Sequence, residues 1–252
     1  MTKTEEERRS LKDPLPDPDR PELGDEFLAI RGERNRRFVE GLKAEQETKS
    51  LPEAQRLYRQ EHPLIGVLAI QGDYAAHAEA LTASSADPVE VRKPEQLAGL
   101  DALILPGGES TTFLKFLEKR GFFEALREFC GKKPVFGTCA GTILLAREVR
   151  NPQQRSLGLL DAIVERNAYG RQIDSAIVTA ETALPGGPLE MVFIRAPRIV
   201  GVGPGVEVLA RRDGFATLVR QGRVLAATFH PELSRDRRVH RLFVESVTAA
   251  EE

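Results

Sequence analysis

The pattern of apolar and polar positions divides the chain at about residue 63. Residues 1–63 are dominated by charged side chains, include a proline-rich run at 13–18 and hold no strong β-branched run. This composition predicts that the first part of the segment is disordered. Apolar positions at helix-like intervals between 25 and 60 predict one or two exposed amphipathic helices. Residues 64–252 alternate short apolar runs with helical patterns, which predicts the folded domain.

The order of elements in 64–252 predicts an α/β fold. Apolar runs at 64–70 and 102–105 are typical of strands buried on both faces. Because strands and helices alternate, we expect a parallel sheet, with an antiparallel portion where turn signals become frequent. Further strands are predicted at 89–91, 134–136, 176–179, 191–194, 206–210, 216–219 and 224–229. Helices are predicted at 74–83, 110–129 with a candidate break at Gly121, 140–147 and 236–248.

Charge and composition narrow the classes of function. The 36 Lys and Arg residues nearly balance 38 Asp and Glu residues, so the chain lacks the broad positive field that binds a nucleic-acid backbone. No run approaches the roughly 20 apolar residues of a membrane span, and the amino terminus is charged. We therefore expect a cytoplasmic protein that binds neither nucleic acid nor membrane. The spacing of Cys130 and Cys139 predicts neither a disulfide framework nor a metal site.

The sequence GTCAG at 137–141 places a cysteine among small residues, between a predicted strand and a predicted helix. This Gly-x-nucleophile-x-Gly pattern is typical of the strained elbow that exposes a nucleophile above a sheet. The amino terminus of the following helix favours a thiolate. We predict that Cys139 is a nucleophile; the alternative is a buried cysteine that acts as a small apolar residue.

A thiolate nucleophile needs a base that carries protons and a group that orients the base. His230 and Glu232 stand in the sequence His-Pro-Glu, directly after the last predicted strand. Both side chains should therefore emerge at the carboxyl edge of the sheet, where open α/β folds place their sites. Alone, the tripeptide also fits a turn with a solvated carboxylate, but together with Cys139 it predicts a catalytic triad.

The remaining histidines and the second cysteine are weaker candidates for chemistry. His62 and His240 are predicted to be surface residues. His77 follows the first strand, and we expect a local hydrogen-bonding role for it and no catalytic one. Cys130, at the end of an amphipathic helix, is predicted to be structural and unreactive.

The sequence PGGEST at 106–111 follows a strand and opens a helix. Backbone amides in such a turn can point at a negative centre, as the oxygen of a tetrahedral intermediate requires. The turn is a candidate oxyanion hole, with Ala140 as the second amide donor. The alternatives are a phosphate-binding turn, although the Lys of a Walker loop is missing, or a tight connection without function.

Together these motifs resemble class I glutamine amidotransferases, and in particular the PdxT family of glutaminase subunits of pyridoxal 5'-phosphate synthase. The matching stretches keep one order along the chain. They are GVLAIQG at 66–72, LPGGESTT at 105–112, FGTCAG at 136–141, VERN at 164–167, YGRQ at 169–172, FIRAP at 193–197 and FHPEL at 229–233. The elbow and the His-Pro-Glu run are shared with amidotransferases of many pathways, whereas GESTT, ERN and FIRAP are particular to this family.

The resemblance implies a flavodoxin-like three-layer α/β sandwich with a mainly parallel central sheet and an antiparallel portion. It implies that Cys139 attacks the carboxamide of L-glutamine, that His230 shuttles the proton and that Glu232 orients His230. A glutamyl thioester would form and be hydrolysed to L-glutamate, with release of ammonia and without any cofactor. The ammonia would serve pyridoxal 5'-phosphate (vitamin B6) biosynthesis.

By the same resemblance, six residues are expected to contact glutamine: Gly108, Glu109, Ser110, Arg166, Ile194 and Arg195. Gly108 and Ala140 would offer the oxyanion amides after a peptide reorients. Arginines suit the α-carboxylate of glutamine, and Glu109 suits its α-ammonium group. The alternative for each arginine is a surface ion pair. Gln71 is expected near the interface with a partner.

The resemblance also implies a partner, a synthase subunit with a β/α barrel whose dodecameric core carries the glutaminase subunits. Residues 1–63 depart from the family, which usually begins near the first strand, and are either a partner-binding arm or the product of a start site placed too early. Two other enzyme functions stay open: a related cysteine hydrolase that acts on another amide, and a glutaminase subunit that serves a different synthase. A non-catalytic binding domain is a third alternative, which the intact triad argues against.

Overall fold

The computed structural model describes residues 58, 60–119, 121–166 and 175–249. Nearly all of the predicted extension at 1–63, and the YGRQ motif at 169–172, lie outside these residues. Within the described residues, none of the helices is long and apolar enough to cross a membrane.

The helices and strands alternate in the first half of the described chain, and strands dominate the second half. The strands are β1 (Leu64–Leu68), β2 (Asp87–Val91), β3 (Ala102–Leu105), β4 (Val135–Thr138), β5 (Ala146–Arg150), β6 (Leu160–Glu165), β7 (Ala176–Ala180), β8 (Leu189–Phe193), β9 (Arg198–Val202), β10 (Glu207–Arg212), β11 (Phe215–Gln221) and β12 (Val224–Ala227). The α-helices are α1 (Tyr74–Thr82), α2 (Ser110–Lys119), α3 (Phe122–Lys132), α4 (Ala140–Leu145) and α5 (Arg238–Thr248). Short 3-10 helices cover Pro94–Leu97 and Pro231–Leu233.

The main sheet has the strand order β2-β1-β3-β4-β12-β11-β9-β6-β5, with β10 paired to β11. From β2 to β12 every pair is parallel. The pairs of β11 with its neighbours and of β6 with β9 are antiparallel, and β5 runs parallel to β6. Strands β7 and β8 form a separate antiparallel hairpin. The expected mainly parallel α/β architecture with an antiparallel portion is confirmed.

The strands in the middle of the sheet are buried along their whole length. Every residue of β3, β4 and β12 is buried, as continuous apolar runs without alternation require. Phe136 on β4 packs against Phe243 on α5, with ring centroids 5.6 Å apart. Each such side chain, when fully buried, contributes about 1.5–3 kcal/mol to stability, so the core holds the carboxyl edge of the sheet in one place.

Three strands and one helix end depart from the sequence-based expectation. The predicted helix at 140–147 ends at Leu145, and the chain continues directly into β5. Strands β5, β6 and β9 were not predicted; β6 pairs with both β5 and β9, and such pairing between distant segments decides strand formation more than local preference does. The candidate break at Gly121 is confirmed, since this residue separates α2 from α3 with a φ of 67°.

Candidate active site

The nucleophile candidate lies where the chain leaves β4. Strands β4 and β12 are parallel neighbours, with Thr138 opposite Ala227, so both chains leave the sheet at the same edge. Cys139 is the turn between β4 and α4, with a φ of 46°, a backbone conformation that L-residues adopt rarely. Its N–H donates to the carbonyl of Ala227 at 2.9 Å. This bond fixes the strained turn against the neighbouring strand.

Gly137 and Gly141 flank the turn at positions where the Cβ atom of any other residue would overlap neighbouring atoms. A Cβ atom on Gly141 would overlap the carbonyl oxygen of Leu105 on β3. A Cβ on Gly137 would lie 2.6 Å from Cδ1 of Leu145 and 2.7 Å from the carbonyl carbon of Gly141. The first and last residues of the GTCAG run are therefore glycine for reasons of close packing.

The base and acid candidates follow β12. His230 Nδ1 lies 2.7 Å from Glu232 Oε1, and both residues are buried. The backbone N–H of His230 donates to the carbonyl of Val192 on β8 at 2.8 Å. This bond ties the turn after β12 to the β7–β8 hairpin, so the imidazole is held on two sides.

The protonation of His230 is set by its two polar neighbours. Burial acts to lower the pKa of His230, but hydrogen bonds with Cys139 and Glu232 raise it to about 10. Burial acts to raise the pKa of Glu232, but the imidazoles of His77 and His230 lower it below its ordinary value. His230 is thus an imidazolium at neutral pH, and its charge stabilises negative charge on the neighbouring sulfur.

Two further histidines, His77 and His240, lie next to this pair on the side of Glu232. His77 and His240 are both fully buried, and His77 Nδ1 lies 3.0 Å from His240 Nε2. The prediction that His240 is a surface residue was wrong, because it faces the sheet on the same side of α5 as Val239 and Phe243. His77 forms hydrogen bonds, as expected, but its side-chain partners Thr138 and His240 are distant in sequence.

The other two weak candidates are His62 and Cys130. His62 is partly exposed and stacks on Tyr58, with ring centroids 4.3 Å apart. Cys130 is buried in α3, and burial raises the pKa of its thiol to about 12. A thiol with so high a pKa is a poor nucleophile.

The Gly107–Gly108 turn lies beside the reactive side chains. A Cβ on Gly107 would collide with Cε1 of His230 and stand 3.3 Å from Cβ of Cys139. Gly108 has a φ of 132°, and the side chain of Gln71 lies 3.0 Å from the place of its Cβ. The Nε2 of Gln71 donates to the carbonyl of Glu109 at 2.7 Å. Gln71, expected near a partner interface, is thus bonded to the turn that carries the oxyanion candidate.

The start of α2 gathers three of the expected glutamine contacts. The Glu109 carboxylate accepts from the amides of Thr111 at 3.0 Å and Thr112 at 2.7 Å. These bonds, that from Thr112 above all, lower the pKa of Glu109 to about 2.

Arg166 Nη2 donates to the Thr111 hydroxyl at 2.7 Å and lies 3.7 Å from Glu109 Oε1. Ser110 is buried and donates to Gln154 Oε1 at 3.1 Å, a partner that sequence analysis missed.

The last expected site residues occupy the ends of two elements. Ala140 is the buried first residue of α4, where a helix leaves backbone amides without an intrahelical acceptor. Ile194 and Arg195 follow β8 and are exposed, and Arg195 has a φ of 44°. They lie just beyond Val192, the residue that binds the backbone of His230.

No cluster of three or more His, Cys, Asp or Glu side chains that could hold a metal ion occurs in the described part of the chain. What the sheet edge does bring together is a thiol, an imidazole and a carboxylate. This is the set of groups for nucleophilic attack on an acyl carbon with proton transfer to the leaving group.

Comparison with known proteins identifies the family. The model of the SNO glutamine amidotransferase family matches residues 67–249. The chain belongs to this family. The match runs from within β1 to the end of α5, so this amidotransferase fold includes both strands that carry the candidate triad.

Individual relatives agree with the family match. The chain is 64% identical over 183 residues to a pyridoxal 5'-phosphate synthase subunit PdxT of Koribacter versatilis, covering 73% of this chain and 95% of the relative. It is 53% identical to the PdxT subunit of Solibacter usitatus, covering 73% and 98%. A crystal structure of a glutamine amidotransferase superposes with a TM-score of 0.68 at 50% identity, over 73% of this chain and 98% of that one.

Proposed function

We propose that this protein hydrolyses L-glutamine to L-glutamate and ammonia as the glutaminase subunit of a pyridoxal 5'-phosphate synthase. The observation that carries the proposal is the buried His230–Glu232 pair, 2.7 Å apart, at the sheet edge from which Cys139 also emerges. The substrate class follows from membership of the SNO glutamine amidotransferase family. The pathway follows from relatives named PdxT that are 64% and 53% identical.

The reaction uses the three side chains in sequence. The thiolate of Cys139 attacks Cδ of the glutamine carboxamide and forms a tetrahedral intermediate. The His230 imidazolium gives its proton to the amide nitrogen, the C–N bond breaks, and ammonia leaves a glutamyl thioester. The imidazole, now neutral, takes a proton from water as the water attacks the thioester. The thiolate of Cys139 then leaves, which restores the thiolate and the imidazolium, and the product carboxyl group gives its proton to solvent as glutamate is released. Glu232 holds the ring of His230 throughout.

The oxyanion of each tetrahedral intermediate is assigned to the backbone amides of Gly108 and Ala140. Ala140 offers an amide in the first turn of α4, where no intrahelical acceptor exists. Gly108 has no side chain to resist a change of its peptide, and its φ of 132° is one that glycine adopts at no steric cost. We propose that this peptide reorients when glutamine binds, so that both amides face the oxygen.

Glutamine itself is assigned to the start of α2 and to the segment after β8. The proposed contacts are Gly108, Glu109, Ser110, Arg166, Ile194 and Arg195. Both Glu109 oxygens already accept from α2 amides, but a carboxylate oxygen has a further lone pair that can accept from the α-ammonium group. The arginines would bind the α-carboxylate. All of these residues belong to the proposed catalytic domain, 64–252, and none to the extension.

The ammonia is proposed to pass to a synthase subunit with a β/α barrel and a dodecameric core. Exposed apolar side chains near the site support such an interface, because Ile194 is 38% and Leu233 41% exposed. Both cysteines are free, as is usual in a reducing cytoplasm, where we place the reaction.

Glutamate release from L-glutamine tests the proposal. The wild-type chain and Cys139→Ala are assayed alone and with the synthase subunit from the same source. Release that appears or rises with the synthase and is lost in Cys139→Ala is the expected result. Hydrolysis of a different amide with no use of glutamine would favour the related cysteine hydrolase instead. Release that does not respond to this synthase would favour a different partner.

A further inference from the structure

Glu232 has an imidazole neighbour at each of its two carboxylate oxygens. Oε1 lies 2.7 Å from His230 Nδ1, and Oε2 lies 3.3 Å from Nε2 of His77. The side chains of His77 and Glu232 are both 0% exposed. Oε2 makes no aligned hydrogen bond with any described side chain. The imidazole of His77, 3.3 Å away, is therefore the polar group beside the negative charge of this oxygen. A buried carboxylate oxygen without any such neighbour would be costly.

His77 also contacts the residue before the nucleophile and a third histidine. Its Nε2 lies 3.2 Å from the hydroxyl oxygen of Thr138, and its Nδ1 lies 3.0 Å from His240 Nε2. His77 comes from α1 and His240 from α5. These contacts join α1 and α5 to Thr138 at the carboxyl end of β4, the residue that immediately precedes Cys139.

Burial makes both outer histidines neutral. It lowers the pKa of His77 and lowers that of His240 well below the ordinary value. The ionisable groups that face His77 come from three places. Glu232 and His230 lie near the sheet edge, and Asp73 is the N-cap of the helix that carries His77. Arg237 immediately precedes α5, and His240 lies on α5. Burial outweighs the attraction of Glu232, so each outer ring carries a single N–H.

The hydrogen-bonding pattern selects where those two protons lie. If His240 donates from Nε2 to Nδ1 of His77, then His77 carries its proton on Nε2, where it donates to the Thr138 hydroxyl and lies beside Glu232 Oε2, 3.3 Å from Nε2. The unprotonated nitrogen that remains without a hydrogen-bond partner among the described residues is then Nδ1 of His240. The opposite arrangement would bury an N–H at His240 Nδ1 without an acceptor and face a bare nitrogen towards the Glu232 carboxylate. The first arrangement is therefore the stable one, since unmet buried donors are costly.

We propose that His77 is a positioning residue for the Glu232 carboxylate. Its neutral N–H restrains Oε2, so that Oε1 stays directed at His230, and its lack of charge leaves the negative charge of Glu232 to stabilise the His230 imidazolium. His240 fixes the tautomer of His77. This inference rests on the proposed function, because Glu232 matters through the proton that His230 transfers.

The consequence for catalysis is specific to the chemical step. Without the N–H of His77, Glu232 can rotate, its hold on His230 weakens, and the imidazolium is less stable. The polar side-chain partners of His77 are Thr138, His240 and Glu232, and none of them is assigned to glutamine. Its loss should therefore lower kcat and leave the KM for glutamine unchanged.

The test compares His77→Leu with His77→Gln in the full chain, assayed with the synthase subunit. Leu removes the N–H that lies beside Glu232 Oε2, and we expect kcat to fall about tenfold. The Gln amide can place an N–H close to the position of Nε2, so His77→Gln should recover most of kcat. The alkaline limb of the pH–rate profile should move to lower pH in His77→Leu, because His230 loses its proton more easily.

A packing variant separates positioning from stability. Phe122→Leu trims a buried ring on α3, where it packs against Phe116 with ring centroids 6.4 Å apart. It should lower the unfolding temperature and leave kcat and the pH–rate profile unchanged. Wild-type kcat and an unmoved alkaline limb in His77→Leu would overturn the proposal. Equal losses of kcat in His77→Leu and His77→Gln would do the same.

Alkylation of Cys139 by iodoacetamide, followed against pH without glutamine, tests His77 independently of turnover. The rate reports how well His230 stabilises the thiolate, and it should fall at neutral pH in His77→Leu but not in His77→Gln. Cys130, whose pKa burial raises to about 12, should stay unmodified. If wild-type protein releases no glutamate, the proposed function fails while this measurement still decides the role of His77: equal alkylation rates in all three proteins would refute it.

Discussion

The Nδ1 atom of His230 lies 2.7 Å from Oε1 of Glu232, in a region from which both side chains have largely lost contact with water. A carboxylate at Nδ1 fixes the ring orientation, so that Nε2 is the atom free to exchange a proton with substrate and sulfur. The same contact stabilises the charged form of the ring. Several properties of the protein should depend on this one distance.

The first is the pH dependence of stability. The pKa of His230 is raised from 6.5 to about 10 in the folded chain, so its contribution to the free energy of unfolding is fully present below pH 6.5 and is lost as pH rises through about 10. Urea unfolding of the wild type at a series of pH values should show this loss. His230→Asn cannot titrate there, and the difference between the two proteins should shrink with rising pH. A difference that grew with pH would contradict the account.

A second prediction concerns Gly107, whose missing side chain leaves room for His230. In Gly107→Ala the new Cβ collides with Cε1 of the imidazole, so the ring must move, and a displacement of about 1 Å lowers kcat about 100-fold. Gly131→Ala is the matched control, because it lies in α3 with open space around its Cα. The control should keep wild-type kcat and gain up to about 1 kcal/mol of stability. Wild-type kcat in Gly107→Ala would show that His230 does not act from this position.

The sequence predicted those parts of the site that depend on local order. The elbow at Cys139 and the His-Pro-Glu turn each follow a buried apolar strand, and short-range patterns mark such strands and their ends. The His77–His240 contact spans 163 residues, and nothing near either residue signals the other. Strands β5, β6 and β9 were missed for the same reason, since their partners and not their own residues select the strand conformation.

Glu109 should have two separable roles. Its carboxylate caps α2 through the amides of Thr111 and Thr112, so Glu109→Ala should lower the free energy of unfolding by about 1 kcal/mol. Glu109→Gln keeps one oxygen acceptor for the cap but replaces the other with an NH2 group, which cannot accept, and it has no charge for the ammonium group of glutamine. We expect Glu109→Gln to lose less unfolding free energy than Glu109→Ala, with a clearly raised KM for glutamine. A wild-type KM in this variant would limit Glu109 to the helix cap.

Arg166 and Arg195 are expected to act on binding and not on chemistry. Replacing either with alanine should raise the KM for glutamine about tenfold or more, the effect of losing a charge-assisted hydrogen bond, with the fold intact by circular dichroism. Arg127→Ala is the control, because Arg127 forms an exposed ion pair with Glu124 on α3 and should change neither kcat nor KM. Unchanged kinetics in Arg166→Ala or Arg195→Ala would remove that arginine from the glutamine site.

The central claim is that Cys139 carries the glutamyl group during turnover, and hydroxylamine tests it most directly, because this nucleophile intercepts a thioester as γ-glutamyl hydroxamate. The measurement is hydroxamate formation from L-glutamine by the wild type and by Cys139→Ala, each with the synthase subunit. The account predicts hydroxamate from the wild type, at the expense of glutamate, and none from Cys139→Ala. Glutamate release by Cys139→Ala at the wild-type rate would contradict a covalent role for this cysteine.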